Sequence, residues 1–282
     1  MILNSIRAEW FKVARRPSMW ITVALLLAVS IGLEYVLVYV VATHPPRGAA
    51  AARLGNALTN ARIDLYPASL IKKTLANMSG LYGIFALIIG VLVQGSEYAW
   101  GTVKTSHLQL PGRITIAFGS LVSLAVLGLL MAIGLFAIDG AAAYAVALFD
   151  NVSVSWPSAT DLIKGVAAAW LILYFFELLG FTLATVLKGS AVAIGVGLAY
   201  VLVIENLVFT LLDNLGDTFT RIHELFPIAN AGYLQQAFGA VRAAEAAGPP
   251  PVDANHAVTA IAVWVIGLAV IACGVLRVRD IT

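Results

Sequence analysis

The sequence predicts an all-α integral membrane protein with six transmembrane helices, and three observations carry that expectation. Hydrophobic residues make up 61% of the chain and charged residues 11%, against roughly 45–50% and 25% in a soluble domain. The apolar residues fall in long runs, and a membrane helix needs about 20 of them to cross about 30 Å of hydrocarbon. The bases concentrate near alternate ends of those runs, as the positive-inside rule requires of a multi-pass chain.

The expected spans cover Ser18 to Ala42, Leu75 to Gln94, Ile114 to Ile138, Leu162 to Leu187, Ala191 to Leu212 and His256 to Leu276. The first is too long for the ~7–15 residue core of a signal peptide, and Glu34 interrupts it, so it is read as a retained helix. Arg7, Lys12, Arg15 and Arg16 precede it; Lys104, Arg113 and Lys188 lie in short connections, and Arg277 and Arg279 follow the last span. The opposite side carries bases diluted over longer loops and matched by acids. Both termini are therefore expected in the cytoplasm, with residues 1–282 forming a single transmembrane domain. A net charge of +2 from 17 bases and 15 acids is too balanced to suggest a nucleic-acid partner, and none is expected. Cys273 is the only cysteine, which excludes an intrachain disulfide and a cysteine metal site.

Residues 1–16 segregate on a helical wheel. Ile2, Leu3, Ile6, Trp10, Val13 and Ala14 form one arc, and Asn4, Ser5, Glu9, Lys12, Arg15 and Arg16 the other. Pro17 stops this helix or opens the next. A basic amphipathic helix with Trp10 at the interface lies along a membrane surface; the other reading is a topology-setting tail. On the external side, 213–255 is the longest connection, and its apolar pieces Leu225 to Ile228 and Tyr233 to Val241 are too short to span. They predict short helices that cap the bundle or dip into the outer leaflet, returned by the stiff Pro249-Pro250-Pro251 run.

Enzyme signatures fail. The chain has no phosphate-cradling G-x-x-x-x-G-K-[ST] loop. His223-Glu224 begins like a zinc-binding H-E-x-x-H, but Pro227 replaces the second histidine. No catalytic residue, metal or cofactor is expected on this chain. Asn77-Met78-Ser79 and Asn151-Val152-Ser153 match a glycosylation acceptor, a pattern common by chance.

One polar interruption stands out: GSEYAWGTVKTSHLQLPGR, residues 95–113, between the second and third spans. Glu97 sits at a helix C-terminus, where the dipole disfavours an acid. It needs a cation, and Arg15 and Arg16 lie at the same membrane level, as a partner protein would. Gly95 and Gly101 loosen the backbone on either side. Thr102 caps a new helix running to Leu110, which Pro111-Gly112 ends. The plainer reading is an ordinary polar turn.

The stretch RAEWFKVARRPSMW before the first span, with GSEYAWGTVKT after the second, resembles the permease subunits of type-two ATP-binding-cassette (ABC) exporters. In that family an acid followed by a Gly-Thr pair closes the second helix, and Glu97, Gly101 and Thr102 match it. The six-span layout, cytoplasmic termini and long last external loop agree, so the resemblance covers nearly the whole chain. The polar SHLQLPGR that follows departs from more apolar and basic relatives. The resemblance implies that residues 1–16 are an elbow helix, carrying Trp10, Arg15 and Arg16. It implies that 102–110 is a coupling helix on a separate ATPase, with Glu97, Tyr98, Gly101, Thr102, Lys104 and His107 at the contact. Two copies of that ATPase would bind ATP and Mg, and a second permease, identical or homologous, would complete the pathway. The expected location is the plasma membrane of a prokaryotic cell.

Three acids lie inside spans. Glu177 falls near the midplane, and Glu34 and Glu205 at similar depth in the outer leaflet, placed to flank one cavity. A charge at mid-membrane costs at least ~2.5–3.5 kcal/mol, so Glu177 is expected to face the bundle interior, protonated or hydrogen-bonded. These acids mark either a substrate pathway or an interhelical hydrogen bond that locks packing. They also keep open two other functions: an ion-gradient-driven secondary transporter, and a non-transporting membrane assembly subunit.

Overall fold

Proline suits the first position of a helix, because it lacks an N–H that would go unused there and its φ is already helical. Pro17 does this here: α1 (Ile2–Arg15) ends at Arg16, and α2 (Pro17–Thr43) starts in a new direction. The computed structural model describes residues 2–44, 58–99, 113–212, 216–240 and 250–278. Among them every regular element is a helix and none is a strand. After α2 come α3 (Leu70–Leu75), α4 (Met78–Tyr98), α5 (Arg113–Phe149), α6 (Ala159–Leu187) and α7 (Ser190–Ile204). They are followed by α8 (Glu205–Leu212), α9 (Asp217–His223), α10 (Pro227–Ala237) and α11 (Ala254–Val278). The expected helix over 102–110, with Gly101, Thr102, Lys104 and His107, lies outside the described residues.

Among the described residues five helices, α2, α4, α5, α6 and α11, are long and apolar enough to cross a membrane. The stretch expected as a further span, 191–212, is divided: α7 is a shorter apolar helix ending in the π-helical turn Tyr200–Ile204, and α8 opens on the buried Glu205. Backbone dihedrals stay helical through the junction at Tyr200 and Glu205. The expected end of the third span at Ile138 falls short, because α5 continues through Asp139 to Phe149. At 37 residues α5 is the longest element, about 55 Å at 1.5 Å per residue. Between α8 and α11 the short helices are placed differently from the apolar pieces: α9 ends at His223, before Leu225, while α10 takes in Ile228 and Tyr233 in one helix.

The bundle is organised around α6, which packs most extensively on α4 and then on α11 and α5, while α7 lies against both α4 and α6. Glycine lets the α4 and α6 backbones meet. A β-carbon on Gly90 would run into the carbonyl oxygen of Glu177, and one on Gly180 into that of Leu87. Without a hydrophobic drive between helices in lipid, such close approach supplies the packing energy. Leu124, Leu127, Phe175, Phe176, Phe181, Leu87 and Ile89 fill the core around this crossing. Ser158 caps α6, its Oγ accepting the Asp161 N–H at 3.1 Å, and Lys188 ends it in the left-handed region at φ 54°. α2 and α11 leave broad apolar faces outward, including Ile21, Leu25, Val263, Ile266 and Val270.

α1 corrects the wheel reading. Its buried stripe is Ser5, Glu9 and Val13, so two residues of the supposed water-facing arc pack on α5. Gly119 makes room for them, Ser5 Oγ donates to the Thr115 carbonyl at 2.9 Å, and Ser120 Oγ donates to Glu9 at 3.2 Å. Trp10 is half-buried against the core. The polar arc contains small and hydrogen-bonding groups, and α5 offers matching ones.

At the far end of the bundle Asp150 gathers the chain between α2 and α3. It accepts two hydrogen bonds from Arg62, at 2.6 and 3.0 Å, and one each from Tyr66 at 2.9 Å and Tyr39 at 3.1 Å. The Arg62 guanidinium beside it holds the Asp150 carboxyl below the usual carboxylate range. A depressed folded value contributes stability above the unfolded value, near 3.9, that fades as pH falls through the folded one. Asp150→Ala is therefore expected to lower Tm at neutral pH, with the gap to wild type closing below about pH 4. Thermal unfolding in detergent across that range checks it, and a gap independent of pH would contradict it.

Candidate functional site

Two polar constellations interrupt the apolar bundle at opposite ends. The first joins the α1–α2 corner to the end of α4. Arg16 pairs with Glu97, and its other nitrogen donates to Ser96 Oγ at 2.6 Å and to the Val93 and Leu92 carbonyls at 3.0 and 3.4 Å. One guanidinium thus adds a donor to two carbonyls near the end of α4 and offsets the acid placed there. Lys12 adds charge, 2.7 Å from Glu9 and 3.9 Å from Glu97. Arg15, expected alongside Arg16, instead lies over the Phe11 ring at 4.4 Å. Tyr98 is half-buried in the last turn of α4. Nearby, Gly95 packs against Ser190, which brings the start of α7 to the same end.

The second constellation is larger and mostly invisible in the sequence. Its base is a π-helical segment of α2, Ser30–Leu37, whose wider turn brings Ser30, Glu34 and Tyr35 to one buried face. Glu34 accepts from Lys73 at 3.0 Å and from the Asn77 side-chain amide. Asp139 on α5, 1% exposed, accepts from Ser30 Oγ at 2.5 Å and Thr74 Oγ1 at 2.8 Å. Tyr82, in a second π-helical turn at the start of α4, donates to Ser30 Oγ at 2.8 Å. The Tyr35 hydroxyl is buried with no hydrogen-bond partner among the described residues, and it lies in the electrostatic field of Asp139, Tyr82 and Glu34. Two carboxylates, one ammonium and four hydroxyls thus meet where α2, α3, α4 and α5 converge. Lys73 reads in sequence as a loop base, and Asn77 as part of a glycosylation match; its amide is spent on Glu34. Asp139 falls one residue beyond the expected end of the third span at Ile138, yet lies inside α5. The available signal was the apolar run on both of its sides.

Glu34 and Glu205 do not share a site in the way their similar depth suggested. Glu205 Oε1 accepts the Ala229 N–H at 2.8 Å, and its Oε2 accepts the Tyr200 hydroxyl at 2.6 Å. It caps the first turn of α10, where a helix dipole favours an anion. That is a structural task, and it holds α10 against the bundle. Glu177 is fully buried on α6 against Gly128, and among the described residues neither of its oxygens finds a hydrogen-bond partner. Of the two states expected of it, protonated or hydrogen-bonded, the hydrogen bond is not seen among the described residues. Two apolar grooves flank the bundle, one of 530 Å³ beside Trp156 and one of 560 Å³ beside Trp170, and none of the three acids lines either. Among the described residues no group of His, Cys, Asp and Glu is placed to hold a metal ion.

No protein-family model matches this chain, and no curated protein is significantly similar to it. The multi-pass membrane character rests on the apolar helices themselves.

Proposed function

We propose that this chain is the membrane-spanning subunit of an ATP-driven ABC exporter, forming half of the pathway and coupled to a separate ATPase. The observation that carries the reading is the Arg16–Glu97 pair, which ties the α1–α2 corner to the end of α4 directly before residues 100–112. A force applied to that segment has a rigid route into two spans and, through the docking of α1, into α5. On this reading α1 is the elbow helix, the helical stretch 190–212 is the fifth of six spans, and both termini are cytoplasmic in a prokaryotic plasma membrane. Two ATPase copies carry ATP and Mg, and a second permease covers the outward apolar faces.

Glu97→Ala or Gly101→Val is expected to leave insertion intact and lower substrate-stimulated ATP hydrolysis of the assembled complex by about fivefold or more, the lower end of a 1–3 kcal/mol coupling. Wild-type coupling in both variants at equal expression would sink the reading.

One observation favours a second reading, an ion-gradient-driven transporter: the buried cluster that holds Asp139 beside the Glu34–Lys73 ion pair. Transport that follows an ion gradient without ATP would select it.

A further inference from the structure

We propose that the Asp139 cluster is a binding site for one monovalent cation, a proton or an alkali-metal ion, held by oxygen atoms alone. The charge balance leads there. Glu34 and Lys73 form an ion pair and cancel. Asp139 remains, 1% exposed, and among the described residues only hydroxyl donors bond to it and no cation lies within ion-pair distance. A buried carboxylate left unpaired is strongly unfavourable, so the cluster as built has room for one positive charge and no more. A divalent metal does not suit a surplus of one, and no metal-ligating group of the required size exists among the described residues.

The hydroxyls point the same way. Ser30, Thr74 and Tyr82 present hard oxygen atoms around Asp139, the ligand type that suits hard cations. Tyr35 supplies an independent observation: a hydroxyl 2% exposed by residue, facing the cluster, with no hydrogen-bond partner among the described residues. An unsatisfied buried hydroxyl costs stability unless a ligand uses it. Three helices and the short α3 contribute, and two of the contributing segments are π-helical, a geometry concentrated at functional sites. The charged and titratable groups facing Asp139 are Glu34 and Tyr35 from α2, Lys73 from α3 and Tyr82 from α4. The site stands on this geometry alone and holds whether ATP or an ion gradient drives the protein.

Thermal unfolding of the full chain in detergent tests it between about pH 5 and 8, away from the loss of the Asp150 pair. One arm varies pH at fixed salt. The other replaces N-methyl-D-glucamine chloride with NaCl or KCl at fixed pH and ionic strength. A ligand that binds only the folded state raises Tm with its concentration, so wild type is expected to take up about one cation per chain in one arm. The responding arm identifies the source. Asp139→Asn and Glu34→Gln each bring the cluster to neutrality and are expected to abolish the dependence. Lys73→Met leaves two negative charges and is expected to raise uptake to about two, and Asp139→Asn with Lys73→Met to restore about one. Damage to the fold would not produce those opposite signs. A wild-type Tm indifferent to both arms overturns the proposal, as does an Asp139→Asn variant that keeps the dependence.

Discussion

Gly90→Leu is expected to prevent the folded protein from accumulating, and Gly90→Ala alone to cost about 1–3 kcal/mol or more. The first side-chain carbon at this position would land on the Glu177 carbonyl, which belongs to the backbone of α6 and has no rotamer into which to retreat. Gly180→Ala meets the Leu87 carbonyl in the same way from the other helix. The α4–α6 crossing is the most extensive contact in the bundle, so separating these helices separates α7 and α11 from their seats as well. Gly195 on α7 provides the control, since nothing lies within 4 Å of a β-carbon built there. Gly195→Ala is expected to be neutral or to stabilise by about 0.5–1 kcal/mol, through the helix propensity of alanine. Thermal unfolding of the three alanine variants checks the contrast. Equal behaviour at positions 90, 180 and 195 would mean that the crossing is not the keystone of the fold.

Glu177→Met is expected to behave in the opposite sense, raising stability by about 1–3 kcal/mol while lowering turnover. Methionine has similar length and flexibility, and it removes a fully buried carboxyl whose two oxygens have no hydrogen-bond partner among the described residues. On the proposed reading, an acid at the centre of α6 with such a penalty belongs to the transport pathway. Glu177→Gln, which keeps the shape and removes only the charge, is expected to hold stability and reduce transport of a cationic substrate. A Glu177→Met variant that unfolds, beside a Glu177→Gln variant with intact transport, would make Glu177 a packing residue. It would then leave the candidate pathway.

The legible part of this protein was the part governed by length and hydropathy. Five of the expected spans appear as long apolar helices because about 20 apolar residues can satisfy their backbone in lipid in no other open way. The Arg16–Glu97 pair was also within reach, since helix polarity and equal membrane level leave an acid at that helix end short of a cation. What resisted reading depends on which helix faces cross. Ser5 and Glu9 look like a solvated arc until α5 is laid against them. Ser30, Lys73, Thr74, Tyr82 and Asp139 are scattered over more than one hundred positions and meet only in three dimensions. Glu205 matched Glu34 in depth, yet depth says nothing of azimuth, and α10 claimed it as a cap.

The central proposal is that work enters this chain from a separate ATPase at residues 100–112. The most direct measurement purifies the tagged chain in mild detergent from its own membranes, with His107→Cys as a crosslinking handle and the native Cys273 replaced by Ala. An ATP-hydrolysing subunit is expected to copurify and to crosslink through position 107, with crosslinking abolished or displaced by Glu97→Ala. A chain that purifies without such a subunit, and in vesicles drives transport from an ion gradient alone, would contradict it.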